Sequence, residues 1–159
     1  VGLGNPGKEY ADTRHNVGAA TVEELAHRAG TKLRKTKARA MAAGVLMNDK
    51  RVVLAFPLTF MNNSGEAVKL LVQSYGIQEA HHIVVIHDEL DLDSGRLRLK
   101  AGGGLAGHNG LRSIIDELGT LTFREVHERS RADDVSMRIA AYEIGIERVV
   151  EAARTRGYL

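Results

Sequence analysis

HIVVIHDEL, residues 82–90, is the stretch on which the fold turns. Ile83-Val84-Val85-Ile86 is an unbroken β-branched run of strand length, apolar at every position, so both faces of the predicted strand require cover. Strands of this kind belong to sheets with helices packed against them. The run ends at Asp88, and ligands of open α/β sheets gather beyond the carboxyl ends of the strands. Glu89, Asp91 and Asp93 follow, so an exposed acidic turn is an equal reading of Asp88 from these residues alone.

The flanking sequence supplies the other elements. Val1–Gly4 reads as the end of a strand entering the turn Asn5-Pro6-Gly7, and with Val1 inside a strand a few leading residues are expected before it. A helix follows from about Val17 to Ala29, with Val22 and Leu25 on one face and Gly30 as its C-cap. Ala43–Met47 and Arg51–Phe56 read as strands joined by an Asn48-Asp49-Lys50 hairpin turn. Ser64 is the expected cap of a helix reaching Tyr75, whose apolar face carries Ala67, Leu70 and Leu71. Gly95–Lys100 alternates, Leu97 and Leu99 on one side, Arg96, Arg98 and Lys100 on the other, as a strand does. Helices are predicted from about Leu111 to Leu118 and from about Ile139 to Arg156. No repeat or linker divides the chain. The expected fold class is α/β, a single domain over residues 1–159 with a mixed, twisted central β-sheet flanked by helices.

Composition narrows the chemistry. With 43% hydrophobic and 26% charged residues the chain has the balance of a folded globular domain. Having no cysteine, it makes no disulfide, thiolate nucleophile or cysteine-ligated zinc site. A net charge of +2 does not by itself identify a nucleic-acid binder. Residues 26–48, however, hold six Lys or Arg and no acid. No apolar run approaches the length of a membrane span and no signal peptide is visible, so a cytoplasmic protein is expected.

Several residues compete for a functional role. AGGGLAGHNGLRS, residues 101–113, contains G-x-G-x-x-G at Gly102, Gly104 and Gly107, and the pattern recurs at Gly2, Gly4 and Gly7. A dinucleotide site needs a buried strand before such a loop and a helix opening inside it. The first copy is followed by polar Lys8–Asn16, and the second follows a strand with three cations on one face. An NAD(P)-dependent oxidoreductase is therefore the lesser reading. His15, in the polar loop Thr13-Arg14-His15-Asn16, is the side chain best suited to take a proton near neutral pH, and an orienting acid would support that role. His108 and Asn109 sit where the glycine loop feeds a helix, and capping is the simplest duty for Asn109. Asn62 precedes the Ser64 cap and has no evident local duty. His81, His82 and His87 do not suit a metal, because on a strand His82 and His87 face opposite ways. No G-x-S-x-G elbow supports an acyl-serine mechanism. Arg96, Arg98 and Lys100 suit a phosphate backbone as well as a solvated edge.

Four stretches in order, VGLGNPGKEYADTRHNVG, FMNNSG, IVVIHDELDLDSGRLRLKAGGG and GHNGLRSI, resemble the bacterial-type peptidyl-tRNA hydrolases and cover residues 1 to about 119. The resemblance implies hydrolysis of the ester joining a peptide to the 3′ end of tRNA, without metal or cofactor, by a cytoplasmic and usually monomeric enzyme that binds no membrane. It implies that His15 is the general base and Asp88 its orienting partner. By the same resemblance Asn62 and Asn109 hold the substrate and the attacking water, and Asn5 helps distinguish a blocked substrate from a free aminoacyl-tRNA. Tyr10, Phe60, Met61 and His108 would contact the peptide and terminal adenosine, with Arg98 and Lys100 near the acceptor-end phosphates. Leu105-Ala106 departs from the family pattern, as does the chain after Phe123-Arg124, where residues 124–159 balance seven basic against seven acidic residues. A non-catalytic RNA-binding domain on the same fold is a further alternative.

Overall fold

The computed structural model describes residues 1–78, 82–93, 95–100, 104–136, 138, 139, 143, 146, 147, 150 and 154, the side chains of 120–127 excepted. Its best-formed sheet is an antiparallel meander in which β1 (Arg34–Lys35) pairs with β2 (Ala40–Met47) and β2 pairs with β3 (Lys50–Pro57). The β2–β3 register is set by the two-residue turn Asn48-Asp49, both left-handed at φ 49° and 62°, which Asn and Asp tolerate better than other side chains. Met47 and Lys50 close that hairpin.

Adjacent residues of β3 face opposite ways, and this places the helices. Leu54 packs with Val22 and Ala26 of α1 (Val17–Arg28), whereas Ala55 packs with Ala40, Ala42 and Leu71 of α2 (Ser64–Ser74). Helices therefore cover both faces of the sheet, and each fully buried Val or Leu contributes roughly 1.5–3 kcal/mol. The alanines of β2 bring α2 close to the sheet. α1 ends as predicted at Gly30 (φ 65°): the Gly30 and Thr31 amides donate to the His27 and Ala26 carbonyls, a bond pattern that satisfies the last turn.

The N-terminal segment continues the sheet beyond β3. Gly2 N–H donates to the Ala55 carbonyl, Leu3 N–H to Ile86, Ile86 N–H to Val1, and the Val1 amino group to Val84. Gly2 and Ile86 form a parallel bridge, so the sheet is mixed, as expected for this α/β fold.

Four expectations are corrected. Residues 82–87 are not a strand buried on both faces: pairing is confined to the bridge at Ile86, and Val84 is 69% exposed. Gly95–Lys100 is not a strand; Leu97 and Leu99 are 89% and 91% exposed. Both segments have the residues a strand needs, but a strand exists only against a neighbour, and among the described residues these find little or none. Ser64 is not the cap of α2 but its first residue, with a buried hydroxyl that has no partner among the described residues. The helix expected at 111–118 is the longer α3, Asn109–Ala132. The short β1 had no period long enough to be read.

The chain divides into two compact units, Val1–Glu117 and Leu118–Leu159. In the second, Arg129 makes ion pairs with Glu147 and Asp133, and Ser130 donates to the Val135 carbonyl. Ile139, Glu143, Ile146, Glu147, Val150 and Arg154 of the helix expected at 139–156 are helical; its other residues lie outside the described ones.

Candidate active site

Asp88 stands at the centre of a hydrogen-bonded chain that leaves one imidazole nitrogen free. Its Oδ2 lies 2.8 Å from Nδ1 of His15, and its Oδ1 lies 3.3 Å from Nε2 of His108. The carboxylate and the His108 ring are buried (8% and 11% exposed), whereas the His15 side chain is 53% exposed. A carboxylate only accepts, so His15 donates from Nδ1, and its exposed Nε2 is the unprotonated nitrogen of the neutral ring.

The same argument fixes the His108 tautomer. Its Nδ1 accepts from the backbone N–H groups of Gly110 (3.1 Å) and Leu111 (3.3 Å), so the proton is on Nε2 and points to Asp88. Burial lowers the His108 pKa, with the neighbouring His87 adding to the effect, against the opposing pull of Asp88. For Asp88, burial raises the pKa, but the hydrogen bonds and charges of His15 and His108 outweigh it and the net shift is downward. His87 lies edge-on to His108, centroids 4.7 Å apart, and its Nδ1–H donates to the Asp88 carbonyl at 2.6 Å. Its ring is thereby committed to holding the segment that carries Asp88.

His108, not Asn109, caps α3. The ring occupies the position where Asn or Ser commonly satisfies the free amides of the first turn. Asn109, the first helical residue, is exposed, and its carboxamide has no hydrogen-bond partner among the described residues, which corrects the capping expectation.

Glycines bring these groups together. A Cβ on Gly18 would lie 2.2 Å from the Ile86 carbonyl oxygen, and one on Gly2 would lie 2.0 Å from that of Gly18. Only glycine permits this approach of the α1 start to the sheet, and there the Ala19 N–H also bonds the Leu3 carbonyl. His15 is three residues before Gly18 and Asp88 two after Ile86, so this one contact sets their distance. Gly110 does the same for α3, where a Cβ would sit 2.7 Å from the Met61 sulfur and 2.8 Å from Leu3.

Asn5 and Asn16 tie the first loop to the loop before α2. Asn16 accepts from the Asn5 N–H (2.7 Å) and donates to its carbonyl (3.0 Å), while Asn5 Oδ1 accepts from the Met61 N–H (2.8 Å). His15, Asp88, His108, Asn5 and Met61 thus belong to one connected set. Asn62, beside Met61, is exposed, as is the Phe60 ring at 55%; Tyr10 is half-buried. Arg98 and Lys100 are exposed and make no ion pair among the described residues. The sequence reading missed Asn16 as a clamp and His108 as a cap. The only available signal was that each is a polar residue beside a glycine-bearing helix start.

The family model described as peptidyl-tRNA hydrolase matches residues 1–127. The chain is 52% identical over 120 residues to the peptidyl-tRNA hydrolase of Moorella thermoacetica, covering 76% of this chain and 63% of that protein. It is 51% identical over 128 residues to that of Mycolicibacterium vanbaalenii, covering 79% and 66%. A crystal structure of a variant peptidyl-tRNA hydrolase from Acinetobacter baumannii matches with a TM-score of 0.71 at 44% identity, over 74% of this chain and 60% of that one. The chain spans 63% and 66% of the length of these two bacterial relatives.

Proposed function

The chain belongs to the peptidyl-tRNA hydrolase family, and from that premise we propose that it hydrolyses the ester between a peptide and the 3′ end of tRNA in the cytoplasm. The observation that carries the reading is the His15–Asp88 pair at 2.8 Å, which leaves Nε2 of an exposed imidazole free to accept a proton.

Water attacks the ester carbonyl while His15 Nε2 takes its proton, and Asp88 stabilises the resulting imidazolium. Collapse of the tetrahedral intermediate expels the 3′ ribose oxygen, which takes that proton back from His15. General-base catalysis supplies on the order of 10²–10⁴-fold, and positioning supplies much of the rest. The exposed carboxamides of Asn62 and Asn109 hold the substrate and water and donate to the developing oxyanion, an effect worth roughly 3 kcal/mol per donor. Asn5, its oxygen engaged by Met61, keeps amide N–H donors for the acyl carbonyl that a blocked amino group carries and a free one lacks. Tyr10, Phe60 and Met61 receive the peptide and terminal adenosine, His108 supports the same region, and Arg98 and Lys100 lie along the acceptor-end phosphates.

The dinucleotide reading is not favoured. Gly2 is consumed by backbone packing against α1, and only a three-residue 3-10 turn, Lys8–Tyr10, follows Gly7, α1 itself opening ten residues after it. The test is an N-acetyl-aminoacyl-tRNA offered beside its unblocked counterpart. Cleavage of the blocked ester alone is expected; tight binding of both without cleavage would favour a non-catalytic RNA-binding domain.

A further inference from the structure

The basic stretch at residues 26–48 is not used by the chemistry above, and the fold places much of it at one edge of the sheet. β1 is the outermost strand of the β1-β2-β3 order. Lys32, Arg34, Lys35 and Lys37 are all exposed there and make no ion pair among the described residues. The two cations flanking them differ, since Arg28 pairs with Glu24 and Arg39 with Glu66. No acid occurs between Glu24 and Asp49, so nothing in the local sequence neutralises the four.

Edge protection explains only part of this. Lysine on an edge strand discourages pairing with a second sheet, but β1 is two residues long, and Lys32 and Lys37 lie outside it. The backbone that carries them is held. Leu33 packs with the α1 face of the core. After β1 the Thr36 hydroxyl accepts from the Ala38 N–H and donates to the Ala40 carbonyl, fixing the corner that bears Lys37. Because neighbouring residues of a strand face opposite ways, Arg34 and Lys35 put charge on both sides of the edge. The result is a narrow cationic rim rather than a flat basic face. Lys32 and Lys37 lie at most roughly 16 Å apart, the reach of a fully extended chain of that length.

We infer that this rim is a second RNA contact, binding the phosphate backbone of the tRNA away from the ester. The inference rests on the proposed function for the identity of the RNA. The sheet order sets the separation. Counting from β1 through β2, β3 and Val1–Leu3 to Val84–Ile86 gives four strand spacings, roughly 19 Å in all. An acceptor end held at His15 would therefore have its helical body, not its terminal nucleotides, near the rim. Phosphate contacts of this kind raise affinity without reading sequence, which suits an enzyme that must accept every tRNA.

The test uses the full chain with Lys32→Ala, Arg34→Ala, Lys35→Ala and Lys37→Ala combined. All four side chains are exposed and remote from His15, so the fold and the chemical step stay intact. Expected is an increase of about tenfold or more in KM for N-acetyl-aminoacyl-tRNA at unchanged kcat, with unchanged hydrolysis of N-acetyl-aminoacyl-adenosine, which has no RNA body. The loss of tRNA affinity between about 50 mM and 200 mM salt should shrink by about threefold for each phosphate contact removed. Equal salt dependence in both proteins, or an equal KM increase on the adenosine ester, would overturn the inference. The dissociation constant for uncharged tRNA reads the rim without any cleavage, so a chain that bound tRNA through it yet hydrolysed nothing would sink the proposed activity and leave this contact standing.

Discussion

Asp88 accepts from two imidazoles at once, and the consequences of that arrangement are separable by substitution. Asp88→Asn keeps the volume but removes one acceptor, so His15 and His108 cannot both be held in their present tautomers. We expect kcat to fall by at least about a hundredfold, read in single-turnover hydrolysis, with tRNA binding little changed. The pH dependence of stability follows from the two lowered pKa values. A His108 held below its ordinary 6.5 binds fewer protons folded than unfolded; the stability it contributes is whole above about 6.5 and is lost as pH falls through the folded value. Asp88 acts with the same sign below its ordinary 3.8. The urea midpoint should therefore drop between about pH 7.5 and about pH 5. His108→Asn keeps an acceptor for the first amides of α3 but no N–H aimed at Asp88. It should flatten that drop while lowering kcat by roughly ten- to a hundredfold, the order expected for loss of a hydrogen bond to a charged group. A variant equally sensitive to acid would show that His108 is not the titrating group. At this scale the residues offered a histidine able to take a proton and an acid ending an apolar run that read equally as an exposed turn; their pairing was an implication of the family resemblance. The support was not legible. That Asn16 clamps Asn5 depends on two loops meeting; the His108 cap is local, made to the amides two and three residues on, but histidine is not among the side chains that commonly cap a helix, so the reading fell on Asn109.

Helix and hairpin boundaries were readable where the signal is local. Gly30 closes α1, Asn48-Asp49 turns the hairpin, and both follow from left-handed backbone that these residues accept. Residues 82–87 and 95–100 were misread for the complementary reason: alternation and β-branching report fitness for a sheet, whereas pairing needs a neighbour of the right length. The contact between α1 and the sheet gives the sharpest prediction at this scale. Gly18→Ala would put a methyl group 2.2 Å from the Ile86 carbonyl oxygen, which is backbone and cannot swing aside. It should destabilise the protein by about 1–3 kcal/mol or more, seen in urea unfolding, and lower activity by separating His15 from Asp88. Gly44→Ala, where an added Cβ meets nothing, is the matched control and should leave both quantities nearly unchanged.

Taken as a whole, Val1–Glu117 carries every member of the connected site, with α1 and α2 on opposite faces of one mixed sheet. The α/β class and the flanking helices were legible from apolar periodicity; the order of strands was not, because pairing between Val1–Leu3 and Val84–Ile86 joins residues more than eighty positions apart. Within that unit the order separates the His15 imidazole from the exposed cations of the β1 edge, Lys32, Arg34, Lys35 and Lys37, which make no ion pair among the described residues. The most direct test of the central claim is single-turnover hydrolysis of N-acetyl-aminoacyl-tRNA by the native chain and by His15→Ala. The native chain should release the acyl group and spare the unblocked ester, and the variant should bind tRNA equally well but react roughly 10²–10⁴-fold more slowly. A native chain that leaves the blocked ester intact, or a His15→Ala variant that cleaves it at the native rate, would contradict the account.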